Sequence, residues 1–261
     1  MTWWQGLVLG LVQGLTEFLP ISSSGHLVVA EAAFGLTTPG VLLEVVLHIA
    51  TLLAVVVVYW HRLADLLVGV IRGRKSAWRY AGLLLVGSIP AGLVGFLLQD
   101  RIEHAFESLI TVGINFVVTA LILWSTRWAL RRGTAGEPSI SSAFGIGIAQ
   151  SLAILPGISR SGSTIAAATW LGMDAVRAAE YSFLLAIPAI MGAGLLQVIS
   201  LSDEAVTIAS GPLMIGFVAA LVSGVLAIKF LIVLLRKEAF HRFAPYCLAL
   251  GIMTIVWGML R

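Results

Sequence analysis

The 261-residue chain is 59% hydrophobic and only 11% charged, with a mean hydropathy of +1.01, which excludes a soluble globular domain and indicates an all-α polytopic bundle in lipid. Its net charge of +3 does not signal nucleic acid, because the basic residues sit in short loops beside apolar runs and form no continuous face. Cys247, the single cysteine, lies in an apolar run, so neither an intramolecular disulfide nor a cysteine-based metal cluster is available.

The start, MTWWQGLVLG, has no basic region before its apolar run, which argues against a cleaved signal peptide. The stretch Gln13–His26 that follows, QGLTEFLPISSSGH, is not an ordinary spanning helix. Pro20 and Gly25 interrupt it, and Glu17, the three serines and His26 require partners that hydrocarbon does not supply. Six full spans are predicted, at about 40–60, 81–98, 109–126, 178–200, 212–235 and 244–260. The eight tryptophans fall mostly near span ends, as do Trp3, Trp4, Trp60, Trp78 and Trp257, and read as interfacial anchors.

Charge orients the spans. The segment 61–79 carries Arg62, Arg72, Arg74, Lys75 and Arg79 against Asp65 and is expected in the cytoplasm; Arg127, Arg131, Arg132, Arg236, Lys237 and Arg242 then fall on the same side. The acidic segments with Asp100, Glu103, Glu107, Asp203 and Glu204 fall outside, as do both termini. This holds only if residues 1–38 and 134–175 each enter and leave by one face, as re-entrant hairpins.

The second of those segments contains an echo of the first. Gln150–Thr164, QSLAILPGISRSGST, lies 137 positions after its counterpart, matching Gly10 with Gly147, Gln13 with Gln150, Ser22 with Ser159 and Gly25 with Gly162. The span after each copy runs in the opposite direction, so a single membrane domain with an inverted-topology repeat is expected. Repeat 1 covers about 1–126 and repeat 2 about 134–261. Hairpins entering from opposite faces can meet near the midplane, with helix N-termini directed into a shared, anion-favouring cavity. Arg160 in an apolar segment costs about 2.5–3.5 kcal/mol on insertion scales; a phosphate-type anion gripped by its fork would offset that cost.

The two stretches together carry a resemblance. The first resembles an E/Q-x-x-x-E motif followed by Pro, serines and Gly-His, and Pro156–Thr164 matches PGxSRSxxT in full. Both are signatures of the undecaprenyl-diphosphate phosphatase (bacitracin-resistance) family, and the similarity covers essentially the whole chain. The resemblance implies a membrane phosphatase that converts undecaprenyl (C55 polyprenyl) diphosphate to the monophosphate and inorganic phosphate. It further implies recycling of the lipid carrier for peptidoglycan synthesis, resistance to bacitracin, and assistance by a divalent cation, Mg²⁺ or Ca²⁺. Its expected setting is the bacterial cytoplasmic (inner) membrane, with a site facing the outer, periplasmic side. Partners are the polyprenyl diphosphate and membrane lipids, with no nucleic acid; a homodimer is left open.

Phosphoryl transfer needs charge neutralisation, an aligned nucleophile and a proton acceptor. Arg160, Ser159 and Thr164 are candidates to clamp the diphosphate, and Glu17 with Gln13 to hold the cation or, for Glu17, to act as base. Ser23 and His26 are nucleophile candidates, the resemblance favouring Ser23 with His26 as proton carrier; a phosphohistidine or an activated water stays open. Gln13 departs from the glutamate common at that position and removes one negative charge from the metal site. Ser22 and Ser24 are equally readable as helix caps. His48 and Glu44 read foremost as interhelical contacts, with a supporting place around the site as the alternative, while Glu31, Asp174, Arg177 and Glu180 read as residues near span ends that reach water. The competing class is a secondary transporter or lipid flippase, which uses inverted repeats and broken helices as well.

Overall fold

The computed structural model describes residues 1–34, 40–130, 133–200 and 210–260. Arg131, Arg132, Asp203, Glu204 and Arg261 lie outside the described residues. The described residues form helices α1 (Trp3–Phe18), α2 (Ser23–Phe34), α3 (Gly40–Val58), α4 (Trp60–Ile71), α5 (Lys75–Leu97), α6 (Gln99–Phe106), α7 (Leu109–Ala129), α8 (Ile140–Leu152), α9 (Arg160–Trp170), α10 (Ala175–Ser200), α11 (Ser210–Arg236) and α12 (Ala244–Leu260). Five are long and apolar enough to cross a membrane: α5, α7, α10, α11, and α12 with the 3₁₀ turn Phe240–Phe243 before it; counting the bent pair α3–α4 as one span gives six. The protein is a polytopic membrane helical bundle.

Element ends follow local chemistry. Thr2 opens α1 with a reciprocal capping box to Gln5, and Pro20 keeps the chain from continuing helically past Phe18. The basic segment expected as a loop over 61–79 is helical except around Arg72–Arg74. At Tyr59 α4 bends 81° away from α3, and beyond Arg74 α5 starts six residues earlier than the hydropathy suggests. Asp174, read in the sequence as a residue near a span end that reaches water, caps α10 by accepting from the amides of Val176 and Arg177.

Small residues let helices approach closely. On α1, a Cβ at Gly6, Gly10 or Gly14 would lie 2.2–2.3 Å from carbonyl oxygens of Pro212, Gly216 and Ala220 on α11. The equivalent contact of the second segment joins α8 to α5, where a Cβ at Gly147 would lie 2.5 Å from the carbonyl of Gly87. The two positions that align in sequence, Gly10 and Gly147, thus do the same packing work against different partners. Gly10→Leu is expected to force α1 off α11 and lower unfolding stability in detergent by roughly 2–3 kcal/mol or more. A thermal melt overlapping that of the parent would dispose of the contact.

The interrupted segments are hairpins whose ends meet. Trp4 and Phe34, near the two ends of α1–α2, stack edge to face at 5.2 Å. In the second segment the amides of Thr134 and Ala135 bond the carbonyl of Gly172, and Asp174 returns a bond to Ala135. At 1.5 Å per residue α2 and α9 reach only about 18 and 17 Å, well short of roughly 30 Å of hydrocarbon.

Candidate active site

The breaks between the hairpin helices, 19–22 and 153–159, lie against each other. A Cβ on Gly25 would meet the Cα of Gly157 at 2.8 Å. Broken helices expose peptide groups that lipid cannot satisfy, and side chains from elsewhere take them up. Asn115 on α7 donates to the carbonyl of Pro156 (2.8 Å). Thr119, one turn on, donates to Gly157 (2.8 Å) and accepts from the amide of Ser159 (3.0 Å). Ser22, held at φ 69°, accepts from the amides of Gly25 (3.3 Å) and Gly157 (3.2 Å), so one hydroxyl caps α2 and joins the two breaks. Ser159 repeats this role for α9 by accepting from Gly162 at 3.0 Å. Thr119→Val should leave two buried backbone groups unpaired and cost about 2–4 kcal/mol of stability, read as a lower melting temperature with a weakened site; an unchanged melt would show the loop holds itself.

Glu17 is the hub between the breaks. It is buried, 7% exposed, on the last turn of α1. Its Oε1 accepts from Arg160 Nη2 at 2.5 Å, and its Oε2 accepts from Ser23 Oγ at 2.5 Å and from Gln13 Nε2 at 3.1 Å. Ser23 and Arg160 open α2 and α9, so two helix N-termini flank this carboxylate. The second guanidinium nitrogen, Arg160 Nη1, donates to the carbonyl of Ser182 at 3.4 Å.

The remaining candidates are placed differently. Thr164 donates to the Arg160 carbonyl at 2.8 Å and shares a 2.6 Å hydroxyl contact with Ser182. Ser159 and Thr164 therefore lie beside Arg160 with hydroxyls already engaged. His26, one turn from Ser23, directs Nδ1 to the Ser22 carbonyl (2.7 Å) and Nε2 to the Tyr246 hydroxyl (2.7 Å), with its ring stacked on Tyr246. It joins the site to half-exposed Tyr246, with both ring nitrogens directed away to Ser22 and Tyr246.

Four further contributors were left unassigned by the sequence. His48 on α3, read as an interhelical contact, brings Nε2 to 3.9 Å from Glu17 Oε2. A histidine facing inward from an apolar span is itself a functional signal. Asn115 and Thr119 carried a weaker one, polar residues one turn apart on a span, and Ser182 carried none. Glu180, by contrast, bonds Arg62 at 2.9 Å and Arg177 at 3.0 Å beside a cavity of about 340 Å³.

A divalent cation has a limited donor set here. Among the described residues no group of three or more His, Cys, Asp and Glu side chains is arranged to hold a metal. Glu17 offers hard oxygens, three of about four acceptor positions being used. Gln13 is fully buried and its Oε1 has no hydrogen-bond partner. An orphaned amide oxygen next to a carboxylate fits a hard ion whose remaining ligands come from phosphate and water.

Residues 6–253 match the family model described as "Bacitracin resistance protein BacA". The chain belongs to this family. It is 43% identical to an undecaprenyl-diphosphatase of Desulfosudis oleivorans, over 98% of both chains. Similar proteins of the same name occur in Methanosphaera stadtmanae, 41% identical over 96% of both chains, and Thermomicrobium roseum, 40% identical over 98% of both. Family membership gives the hub its chemical context: Glu17, Ser23 and Arg160 are brought within hydrogen-bonding distance although Arg160 comes from the far half of the chain.

Proposed function

We propose that the chain hydrolyses undecaprenyl diphosphate to undecaprenyl phosphate and inorganic phosphate at the Glu17–Ser23–Arg160 cluster. The relatives' shared name supports the substrate, and nothing in the comparisons supports a transporter. The observation that carries the residue assignment is the 2.5 Å bond from Ser23 Oγ to Glu17 Oε2. It aligns a hydroxyl with a buried carboxylate able to take its proton. At about 0.8 kcal/mol per buried CH₂, the polyprenyl chain keeps the substrate in the bilayer, so the chemistry has to be brought to it.

In this reading Arg160 exchanges Glu17 for the oxygens of the terminal phosphate, its fork suited to two of them. Ser23 Oγ attacks that phosphorus as its proton passes to Glu17, and undecaprenyl phosphate leaves. Water then cleaves the phosphoserine, releasing inorganic phosphate and restoring the hydroxyl. The N-termini of α2 and α9 favour the charge that develops. Thr164 and Ser159 hold α9 and thereby aim Arg160, and His26 with Tyr246 provides a route for protons. Glu17 and Gln13 would hold the divalent cation, which when bound neutralises phosphate charge.

The two hairpins are read as re-entrant parts of an inverted repeat in the cytoplasmic membrane, with the cavity open to its outer face. The meeting of each hairpin's ends and the parallel contacts α1–α11 and α8–α5 support this. The deciding experiment supplies long-chain polyprenyl diphosphate and Mg²⁺ or Ca²⁺ to purified protein in detergent. Stoichiometric phosphate release is expected; bound substrate with no phosphate released would reject hydrolysis.

A further inference from the structure

Among the described residues, His48 Nε2 has no hydrogen-bond partner, and the polar atom it approaches is on Glu17. The His48 Nδ1 lies 2.8 Å from the Glu44 carbonyl, an acceptor only, so Nδ1 carries a hydrogen and in the neutral ring Nε2 presents a lone pair. That lone pair faces Glu17 Oε2 at 3.9 Å. Two acceptors turned toward each other repel unless something positive or hydrogen-bearing lies between them. The gap is too long for a hydrogen bond and slightly shorter than twice a metal–ligand bond of about 2.1 Å, so one ion can touch both.

Gln13 supplies a second, independent indication. Its side chain is fully buried, its Nε2 bonds the same Glu17 Oε2 at 3.1 Å, and its Oε1 is unpartnered. Turning the amide over would direct the orphaned oxygen toward Glu17 and forfeit only the recorded bond, which an ion on Glu17 would displace. Gln13 on α1 and His48 on α3 thus both approach Glu17 Oε2, at 3.1 and 3.9 Å. Phosphate oxygens and water would complete the shell.

We infer that His48 is the third protein ligand of the cation site, and that its imidazole shifts this chain's preference from Ca²⁺ and Mg²⁺ toward first-row transition ions. The inference rests on the cation site proposed above and adds a nitrogen donor to it. Mg²⁺ and Ca²⁺ favour shells of oxygen, whereas imidazole suits the later divalent metals. With glutamine at position 13 the site has only one carboxylate, and the nitrogen supplies binding strength that charge does not.

The test is pulsed EPR on the full-length protein in detergent loaded with Mn²⁺ alone, which reads the ligand set without turnover. Wild type should show nitrogen modulation that changes when the protein is labelled with ¹⁵N-histidine. His48→Gln should abolish it and, in a separate titration, weaken Ni²⁺ binding by about tenfold or more, with Ca²⁺ binding moving less than about threefold. His26→Gln should keep the modulation, since its ring nitrogens lie against Ser22 and Tyr246. Mn²⁺ bound without histidine nitrogen coupling overturns the inference, because a proton or a water between His48 and Glu17 gives that result. The labelled wild-type spectrum decides even if the variants fold poorly. Phosphate release is scored separately: activity without nitrogen coupling rejects the His48 ligand alone, whereas bound substrate with no release rejects hydrolysis itself.

Discussion

Alanine at position 23 is expected to reduce phosphate release by about three orders of magnitude or more, while polyprenyl diphosphate still binds within about threefold of wild type. The serine hydroxyl sits 2.5 Å from Glu17 and contributes no charge to holding the phosphates, so its loss falls on the chemical step. Glu17 keeps Arg160 and Gln13, and the fold should persist. Single-turnover phosphate release with a binding isotherm reads the split, and acid quench of wild type should trap phosphate on Ser23. A variant that keeps more than roughly a tenth of the wild-type rate would move the attack to water, and a label found on His26 would move it there.

The second large effect is expected at Arg160. Lysine preserves the charge, yet one ammonium cannot serve both directions that the fork serves, Glu17 Oε1 at 2.5 Å and the Ser182 carbonyl at 3.4 Å. Arg160→Lys should therefore lose about a hundredfold or more in kcat/KM, on the order of 3 kcal/mol of transition-state stabilisation, with the melting temperature only slightly lowered. Arg160→Ala should differ in kind. It strands a buried carboxylate, and breaking such a pair typically costs about 3–5 kcal/mol of stability. Wild-type turnover in the lysine variant would remove Arg160 from phosphate binding.

Sequence made the broken segments legible because proline, glycine and charge inside apolar runs have few physical explanations in lipid. Glu17 and Arg160 could both be singled out on cost alone, and the internal echo placed them in corresponding segments. What could not be read was reach. Nothing in a linear string says that Thr119 bridges the carbonyl of Gly157 and the amide of Ser159, or that Ser182 stands beside Thr164, because these contacts depend on how α7 and α10 are rotated about their axes. His48 was undervalued for the same reason: one turn beyond Glu44 in a span, it reads as a contact between helices until α3 is docked against α1. The basic stretch at 61–79 was taken as a loop since charge interrupts hydropathy, yet charge does not interrupt a helix, and α4 and the start of α5 are built through it.

The close seating of α1 on α11 has a consequence for biosynthesis. α1 is synthesised well before α11, so the close contact between their small-residue faces can form only after most of the described helices have been made. The guanidinium that balances Glu17 is likewise made only with α9. During synthesis the first hairpin therefore carries an uncompensated carboxylate and an unfilled groove, and it depends on very non-local contacts that form slowly. Conditions that delay or truncate translation should leave this hairpin, rather than the later spans, as the part of the protein that quality control recognises.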